Sequence, residues 1–339
     1  MLILRNISLK PYNTFGLNYK ADCLIRIRTE NEAVPLFTGD YSLSGLVFFV
    51  GRGSNLLFID DFKGTIILPD LRGIRIEKRN KDSVIVSAGA GVEWDKLVEW
   101  CVDKGFGGIE NLSHIPGNVG AAPVQNIGAY GVEIKESIVK VRTISCIDGS
   151  VRIFSNNECD FSYRNSIFKT SERGKYLVTR VCLKLNLNPA FNLNYGSLEA
   201  EVEKLGGASL QNVRQAVINI RRAKLPDPSV IGNAGSFFRN PAVSRSVAET
   251  LKKDYPQMPC FEDPSGGQKL AAGWLIEQCG WKGRRLGDAG VHEKQALVLV
   301  NHGNATGKEI YYLSEEIRKS VLERFGVLLE REVEVVGTI

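Results

Sequence analysis

Hydrophobic residues in the first half of the chain follow the short, alternating runs that are typical of β-strands. The runs are rich in β-branched and aromatic residues and are interrupted by glycine and polar residues. They predict strands at Cys23–Arg28, Leu46–Val50, Leu56–Ile59, Thr65–Leu68, Ile74–Glu77, Ser83–Ser87, Glu133–Thr143, Val151–Phe154 and Leu177–Leu187. Few helical patterns separate these runs, so the layout indicates an α+β fold and not a regular βαβ alternation.

Apolar residues at helical spacing mark a smaller number of segments. In Glu93–Lys104 they stand at i, i+3, i+4 and i+7, and Gly105 follows as an end signal. Helices are therefore predicted at Glu93–Lys104, Glu199–Leu205, Leu210–Lys224, Leu270–Cys279 and Gly307–Phe325. Strands are predicted at Ala296–Asn301 and at Leu328–Val336, which could return to an earlier sheet. Two prolines in Leu225–Pro228 cannot continue a helix and predict a domain boundary.

Composition narrows the classes of protein. The chain has 339 residues, 43% of them hydrophobic and 24% charged, which describes a soluble globular protein with two or three cores. The net charge is +5, and the basic residues are not concentrated in a Lys/Arg-rich block. This charge distribution suits a small polyanionic ligand better than nucleic acid. No apolar run reaches the ~18–20 residues that span a bilayer, and Met1–Leu9 is too short and polar for a signal peptide. We expect no nucleic acid, membrane insertion or obligate protein partner.

Seven cysteines are scattered along the chain without C-x-x-C spacing. Their odd number and apolar neighbours favour reduced thiols in the cytoplasm over a disulfide framework or a zinc site. His292 and His302 have no Cys or carboxylate cluster at metal-ligand spacing, so no metal is predicted.

The stretch Ile115–Gly131 is unusual because it holds four glycines and two prolines and no charged residue. Glycine allows a backbone to approach a ligand closely, and proline stiffens the path. This composition is compatible with a backbone-lined cradle for a large, flat, partly anionic ligand, and equally with a tightly packed structural crossover. The turn Gly51–Asn55 could form an anion nest from successive amides, or be a plain β-turn. No G-x-G-x-x-G or G-x-x-x-x-G-K-[ST] pattern is present, so a nucleotide cofactor would require another fold.

Six blocks occur in an order that resembles a known family. They are Asn13–Gly16, Gly51–Leu56, Ile115–Gly131, Tyr163–Ser166, Gly235–Pro241 and Leu329–Val333. Together they resemble the UDP-N-acetylenolpyruvoylglucosamine reductases (the MurB family), flavoenzymes of bacterial cell-wall precursor synthesis, from about Asn13 to Val336. Tyr195 resembles the extra tyrosine loop of the longer, type I subfamily.

The resemblance implies a two-lobed FAD-binding fold of the vanillyl-alcohol-oxidase (PCMH) type with an α+β substrate-binding domain. The implied regions are 1–70 with 327–339 returning, 71–225, and 226–326. FAD would be bound non-covalently, and NADPH would be the hydride donor. The substrate would be the enolpyruvyl ether UDP-N-acetyl-3-O-(1-carboxyvinyl)-glucosamine, reduced to UDP-N-acetylmuramate. The implied cofactor-binding residues are Gly51, Arg52, Gly53, Ser54, Asn55, Leu56, Pro116, Gly117, Asn118, Gly120, Ala121, Gln125, Asn126, Gly128, Ala129, Tyr130 and Gly131.

The chemistry of such a reduction agrees with three candidate catalytic residues. Hydride addition leaves an enolate-like dianion, which needs a cation at the carboxylate and a proton donor at the neighbouring carbon. Arg164 suits the first role and Ser236 the second, and Glu332 is expected to assist protonation. Without the resemblance, Arg164 would be interpreted as a surface arginine, Ser236 as a turn residue and Glu332 as part of a solvated strand face.

Two departures from the family make the choice of Glu332 less secure. Arg331 replaces a frequent proline, and Glu334 stands where a basic residue is common. We also expect Glu330, Glu332 and Glu334 to alternate on one face of the final strand.

The resemblance implies seven substrate-binding residues: Tyr163, Tyr195, Lys224, Asn240, Lys269, Lys282 and Gln295. The three lysines could supply countercharge for two phosphates, although a lone lysine is more often simply solvated. Phe261 stands where the family often has tyrosine, so one phosphate hydrogen bond could be missing. Two alternatives stay open: a flavin-dependent alcohol oxidase on the same fold, and a non-catalytic nucleotide-sugar binding protein.

Overall fold

The computed structural model describes residues 1–41, 43, 45–263 and 266–338 and divides into two compact units. The first unit contains residues 1–7, 21–52 and 63–223, and the second contains residues 8–20, 53–62 and 224–339. The three regions predicted from the sequence, which include the undescribed residues 42, 44, 264, 265 and 339, stay a prediction. The chain passes from the first unit to the second between Arg52 and Gly53, inside the predicted glycine turn.

The described residues form short strands and seven α-helices. The strands are β1 (Leu2–Ser8), β2 (Lys20–Ile27), β3 (Leu46–Phe49), β4 (Leu56–Phe58), β5 (Phe62–Pro69), β6 (Ile74–Arg79), β7 (Ser83–Gly89), β8 (Gly128–Ala129), β9 (Val132–Glu133), β10 (Ile138–Ser145), β11 (Val151–Ser155), β12 (Tyr176–Asn186), β13 (Gly232–Ser236), β14 (Ala242–Val243), β15 (Cys260–Glu262), β16 (Gln268–Leu270), β17 (Arg285–Leu286), β18 (Ala289–Val291), β19 (Val298–Asn301) and β20 (Glu334–Val336). The helices are α1 (Glu30–Phe37), α2 (Trp94–Asp103), α3 (Leu198–Lys204), α4 (Leu210–Lys224), α5 (Arg245–Asp254), α6 (Ala272–Gln278) and α7 (Gly307–Phe325).

The first unit is built on two sheets. One has the strand order β1-β2-β5-β3, and the other is an antiparallel sheet with the order β11-β10-β12-β7-β6. Apolar side chains of β2, β5, α1 and β10 share one core, which includes Ile27, Ile67 and Ile144. A second core lies between the antiparallel sheet and α2, where the helically spaced Trp94, Leu97, Val98 and Cys101 are all buried.

The second unit combines a sheet of order β13-β19-β18-β17 with a smaller sheet of order β14-β16-β15. Helix α7 packs its buried stripe, which includes Ile310, Ile317 and Val321, into the core of this unit. Its ends match its sequence signals: Thr306 and Glu309 form a capping box, and Gly326 ends the helix at φ +66°. The last strand, β20, pairs in parallel with β4, so the C-terminal segment does return to an early strand.

Two predicted strands are wrong in part. The run Glu133–Thr143 is interrupted by a 3-10 turn at Ile134–Glu136, because Glu133 and Glu136 form a reciprocal capping box there. The final strand is confined to β20, while residues 328–333 are irregular, with one isolated β-bridge between Arg331 and Phe238. The expected alternation of Glu330, Glu332 and Glu334 on one strand face therefore does not hold.

Helix predictions differ from the structure at three further places. The predicted helix Leu270–Cys279 begins only at Ala272, because Leu270 ends β16. Helices α1 and α5 were not predicted. In α1 the internal Pro35 interrupts the usual helix signal, although Thr29 caps the helix through the amide of Glu32.

All seven cysteines are free thiols, and Cys101 and Cys159 are fully buried. Within the described ranges, no helix is long and apolar enough to cross a membrane. No cluster of three or more His, Cys, Asp or Glu side chains in the described part of the chain is arranged to hold a metal ion.

Candidate active site

The two glycine-rich segments meet in the first unit. A Cβ built on Gly51 would lie 3.7 Å from the Cβ of Asn118 and 3.9 Å from that of Ala121. The Arg52 guanidinium forms an ion pair with the Glu93 carboxylate at 2.6 Å, and the backbone of Glu93 forms an isolated antiparallel β-bridge with Asn118. Residues separated by more than sixty positions thus form one surface, as a shared cofactor site requires.

The turn at residues 51–53 shares one feature with an anion nest, since Gly53 has a left-handed backbone conformation. Among the residues that the structure describes, no acceptor receives the amides of Gly51, Arg52 and Gly53. Gly53 has φ +64°, and a Cβ there would overlap the carbonyl oxygen of Tyr12 in the second unit. Only glycine fits this position, and successive unused amides favour an anion such as a pyrophosphate.

The segment Ile115–Gly131 is partly buried and partly accessible, so features of both alternatives are present. The amide of Gly120 donates to the carbonyl of Ala90 at 2.9 Å, which packs the middle of the segment against the end of β7. Pro116, Ala121 and Gly131 are exposed. The segment is therefore a packed crossover in which part of the chain is still exposed.

Asn126 has a structural role within this segment. The residue is fully buried at φ +47°, and its amide group donates to Glu133 at 3.0 Å and to the carbonyl of Ser162 at 2.9 Å. Its side-chain oxygen accepts from the amide of Lys135 at 3.1 Å. Both donor hydrogens are used by the protein, so the geometry does not favour Asn126 as a side-chain contact to a cofactor.

Arg164 lies beside the end of the same segment. Its backbone has φ +55°, and its guanidinium donates to the carbonyl of Gly128 at 2.7 Å. The guanidinium also lies 5.2 Å from the ring centre of Tyr163. A non-glycine residue with positive φ is uncommon, and such residues cluster at functional sites.

The loop that carries Tyr195 is attached to this end of the segment. The rings of Tyr130 and Tyr195 meet edge to face at 5.9 Å between centroids. Asn111 donates to the carbonyls of Tyr130 and Asn192 at 2.9 and 2.8 Å, and Asn192 donates to that of Gly131 at 3.1 Å. Burial raises the pKa of the Tyr130 hydroxyl above its ordinary value. The structure thus brings Tyr195 next to a predicted cofactor residue.

Sequence reasoning missed a charged network that holds the start of the segment. His114 has φ +60°; its amide donates to Asp95 at 2.5 Å, and its carbonyl accepts from Arg221 at 3.1 Å. Arg214 binds Asp95 through two hydrogen bonds of 2.6 and 3.0 Å. Arg214 and Arg221 stand seven residues apart on α4, so they share one helix face. The seven-residue spacing could have shown that the two arginines lie on one face of the helix, but it does not reveal that Asp95 on α2 is the partner of Arg214.

The network also shifts pKa values. Burial alone would raise the pKa of Asp95, but hydrogen bonds from Arg214 and from the His114 amide hold it below its ordinary value. Burial and the neighbouring Arg221 lower the pKa of His114, which favours a neutral imidazole.

In the second unit, Ser236 ends β13 at a β-bulge. The pairing between β13 and β19 shifts register between Asn233 and Ser236. Gly235 has φ +69° with open space beside it, and its amide donates to the side chain of Asn233 at 3.0 Å. The Ser236 hydroxyl bonds to no other residue in the described ranges, so it is available to a ligand. Bulges commonly re-aim a side chain in this way.

Glu332 lies on the segment next to Ser236. Its amide donates to the carbonyl of Phe237 at 2.8 Å, and Phe237 directly follows Ser236 in the chain. Its carbonyl accepts from Asn55 at 3.1 Å, and the carbonyl of Asn55 accepts from the amide of Glu334 at 3.0 Å. The predicted cofactor residue Leu56 is buried and pairs with Glu334. The second part of the glycine turn, through Asn55, is therefore hydrogen-bonded to the segment that carries Glu332.

Three predicted substrate residues converge near the start of α6. The side-chain oxygen of Asn240 accepts from the amide of Ala272 at 3.0 Å, and that of Gln295 would lie 3.1 Å from a Cβ on Gly273. Lys269 precedes the helix by three residues and is 3.6 Å from Asp263. These residues are far apart in the sequence, and the fold brings them together.

The other two lysines are placed differently. Lys282 pairs with Glu277 at 2.9 Å, at the opposite end of α6 from Asn240. Lys224 is exposed at the end of α4. The structure does not bring Lys282 into the group at the start of α6, so a shared role in phosphate binding stays a prediction.

Comparison with known proteins identifies the class. A model described as an FAD binding domain matches residues 24–155, and one described as the C-terminal domain of UDP-N-acetylenolpyruvoylglucosamine reductase matches residues 227–336. The chain is thus an FAD-dependent oxidoreductase, and the predicted fold class and cofactor are confirmed.

Full-length similarity then gives the family. The UDP-N-acetylenolpyruvoylglucosamine reductase of Bacteroides fragilis is 46% identical, with 96% of this chain and 98% of that protein covered. That of Pseudomonas aeruginosa is also 46% identical, with 96% of each chain covered. The crystal structure of the reductase (MurB) from Thermus caldophilus aligns with a TM-score of 0.68 at 26% identity, over 99% of this chain and 100% of that one. The chain belongs to the UDP-N-acetylenolpyruvoylglucosamine reductase family.

Proposed function

We propose that this protein reduces the enolpyruvyl ether of UDP-N-acetyl-3-O-(1-carboxyvinyl)-glucosamine to UDP-N-acetylmuramate, with FAD as cofactor and NADPH as hydride donor. The observation that carries the proposal is a sequence identity of 46%, over nearly the full length, to UDP-N-acetylenolpyruvoylglucosamine reductases. The presence of Arg164, Ser236 and Glu332 supports it, because a binding protein without catalysis would not need all three. The reaction belongs to peptidoglycan precursor synthesis, and its proposed location is the cytoplasm.

The residues around the glycine turns suit FAD. The unused amides of Gly51, Arg52 and Gly53 can receive a pyrophosphate, and the charge-free backbone of residues 115–131 can lie against a flat ring system. Bound FAD would accept hydride from NADPH and deliver it to the substrate. Arg52, already paired with Glu93, would contribute mainly through its backbone.

Arg164 and Ser236 have complementary proposed roles. When hydride adds to the vinyl CH2, negative charge develops at the carbon beside the carboxylate. Arg164 stabilises that charge, because a guanidinium stays protonated and can bind a carboxylate through two hydrogen bonds. Ser236 donates its hydroxyl proton to the carbon, and the resulting alkoxide is reprotonated from solvent. The hydride and the proton together saturate the double bond.

Glu332 assists the protonation, and the remaining residues bind the nucleotide-sugar. Asn240, Lys269 and Gln295 lie together near α6 and are proposed to contact the phosphates and sugar. Tyr195, Tyr163 and Lys224 are proposed to contribute further contacts. Protein partners are not required by this scheme.

The test separates the two half-reactions. Stopped-flow absorbance would follow flavin reduction by NADPH, and then reoxidation by the enolpyruvyl substrate under anaerobic conditions. Ser236→Ala should leave the first phase unchanged and slow the second by roughly 10²–10⁴-fold, because a positioned proton donor contributes about that much. Ser246→Ala, on the exposed side of α5, is the matched control.

Two results would count against this assignment. Unchanged reoxidation in Ser236→Ala would exclude Ser236 as the donor. Rapid peroxide formation with an alcohol, without consumption of NADPH, would replace the reductase with an oxidase.

A further inference from the structure

The side chain of Arg331, the residue before Glu332, is packed into the second unit. Only 17% of the side chain is exposed. Its Nε donates to the hydroxyl of Ser314 at 2.9 Å, and its guanidinium lies 4.4 Å from the ring centre of Tyr311. Both partners belong to α7. Burial lowers the pKa of Arg331 relative to the ordinary arginine value.

The contacts of Arg331 belong to a larger group of side chains on α7. Glu315 forms an ion pair with Arg331 and also accepts from Arg318 at 2.7 Å. Arg318 in turn donates through Nε to the carbonyl of Leu329 at 2.9 Å. Ser314 is fully buried. About two turns of α7 therefore hold the chain at residues 329 and 331, through two arginines that share the carboxylate of Glu315.

This attachment ends one residue before Glu332. Residues 328–333 are not part of a continuous strand, so no regular ladder fixes their backbone. The backbone of Glu332 is instead held by Phe237 and Asn55, and the preceding residue is held by an isolated β-bridge to Phe238 and by its side-chain contacts to α7.

We propose that Arg331 is a positioning residue for Glu332: anchored on Tyr311, Ser314 and Glu315, it fixes the backbone from which Glu332 reaches the reacting centre. This inference rests on the proposed role of Glu332 in protonation. A glutamate that is displaced by about 1 Å loses much of its effect, and such displacements can cost up to ~10²-fold in rate.

The experiment measures both half-reactions in Arg331→Gln, Ser314→Ala, Glu332→Gln and the double variant Arg331→Gln/Glu332→Gln. Arg331→Gln should slow flavin reoxidation by substrate roughly ten- to a hundredfold and leave reduction by NADPH unchanged. Ser314→Ala removes one contact and should show a smaller loss of the same kind. In the double variant the loss should equal that of Glu332→Gln alone, because Arg331 acts through Glu332. Arg245→Gln, which removes an exposed ion pair with Glu262, is the matched control.

The possible failures are distinguishable. If Glu332→Gln slows reoxidation while Arg331→Gln and Ser314→Ala leave it unchanged, Glu332 is catalytic and the positioning role is wrong. Equal slowing of both half-reactions in Arg331→Gln, or fully additive losses in the double variant, would also overturn it, since a general structural defect behaves in that way. If Glu332→Gln has no effect, the proposed role of Glu332 fails first.

Discussion

Asp95 on α2 and Arg214 on α4 form a two-point ion pair, with N–O distances of 2.6 and 3.0 Å. The same carboxylate accepts the amide of His114, the residue immediately before the predicted cofactor segment. Two helices therefore determine where that segment begins.

Breaking this pair should weaken both the fold and cofactor binding. Arg214→Gln leaves Asp95 with one partner in a partly buried place, so we expect a loss of about 1–3 kcal/mol in the free energy of unfolding. FAD occupancy should fall, because the Asp95 carboxylate that accepts from the His114 amide loses the two hydrogen bonds from Arg214 that fix its position. Urea unfolding and FAD fluorescence titration measure the two effects. Lys319→Gln, which removes an exposed pair with Glu323, should change neither; equal effects in both variants would contradict this prediction.

Gly53 should be irreplaceable for both steric and conformational reasons. Gly53→Ala places a methyl group onto the carbonyl of Tyr12 and forces alanine to φ +64°. We expect loss of FAD from the purified protein, seen as a reduced ratio of absorbance at 450 nm to that at 280 nm, in the range where flavins absorb. Gly174→Ala is the control, because Gly174 has φ +74° with no atom within 4 Å of a built Cβ. That variant should show only backbone strain of ~1–2 kcal/mol and keep its flavin.

Glu30 should make the stability of the first unit sensitive to acid. Arg142 binds it with distances of 2.8 and 2.9 Å, and Thr179 donates to it at 2.6 Å. The hydrogen bonds from Arg142 lower its pKa in the folded state. The stabilisation is therefore fully present above the unfolded value of about 4.3 and is lost as pH falls through the lower folded value.

Glu30→Gln should consequently destabilise the protein by about 1 kcal/mol at pH 7 and by less at the acid end, because the pair is partly exposed. Unfolding by urea at a series of pH values measures this difference. The exposed Glu323, 4.0 Å from Lys319, supplies the control Glu323→Gln. A constant difference between wild type and Glu30→Gln down to the acid end would show that Glu30 does not contribute through its charge.

Phe261 offers a gain-of-function test in the second unit. Its side chain is 42% exposed and lies opposite Lys269 in the pairing of β15 with β16. Phe261→Tyr adds a hydroxyl beside a proposed phosphate-binding lysine, so KM for the UDP-sugar should fall by up to about tenfold with kcat nearly unchanged, the value of one hydrogen bond. Phe261→Leu keeps an apolar side chain and should not lower KM. If both variants behave alike, the ring position does not face substrate.

The local signals in the sequence predicted the elements whose stability is local. Helix α2 carries the predicted apolar stripe, and α7 extends over the predicted residues Gly307–Phe325. The final strand was overextended because alternation between Leu328 and Val336 continues past the point where a partner strand exists. Pairing with β4 depends on a residue more than 270 positions away, which periodicity cannot reveal.

The site was predictable to a different degree. Glycine-rich turns predict that the backbone comes close to another group, and the structure places Gly51 beside Asn118. The grouping of Asn240, Lys269 and Gln295 came only from the family resemblance, since no spacing rule links them. Charged contacts such as that of Asp95 with Arg214 were missed because a helix pattern shows which face is buried but not which partner it meets.

The free thiols have a practical consequence. Burial raises the pKa of Cys101, and likewise of Cys159, to about 12, so almost no nucleophilic thiolate exists at neutral pH while the fold is closed. An alkylating reagent can reach these sulfurs only in molecules that have opened. Mass spectrometry of the alkylated protein at a series of times would therefore measure how often the core around α2 opens. The same measurement with added FAD would show whether the cofactor lowers the opening rate.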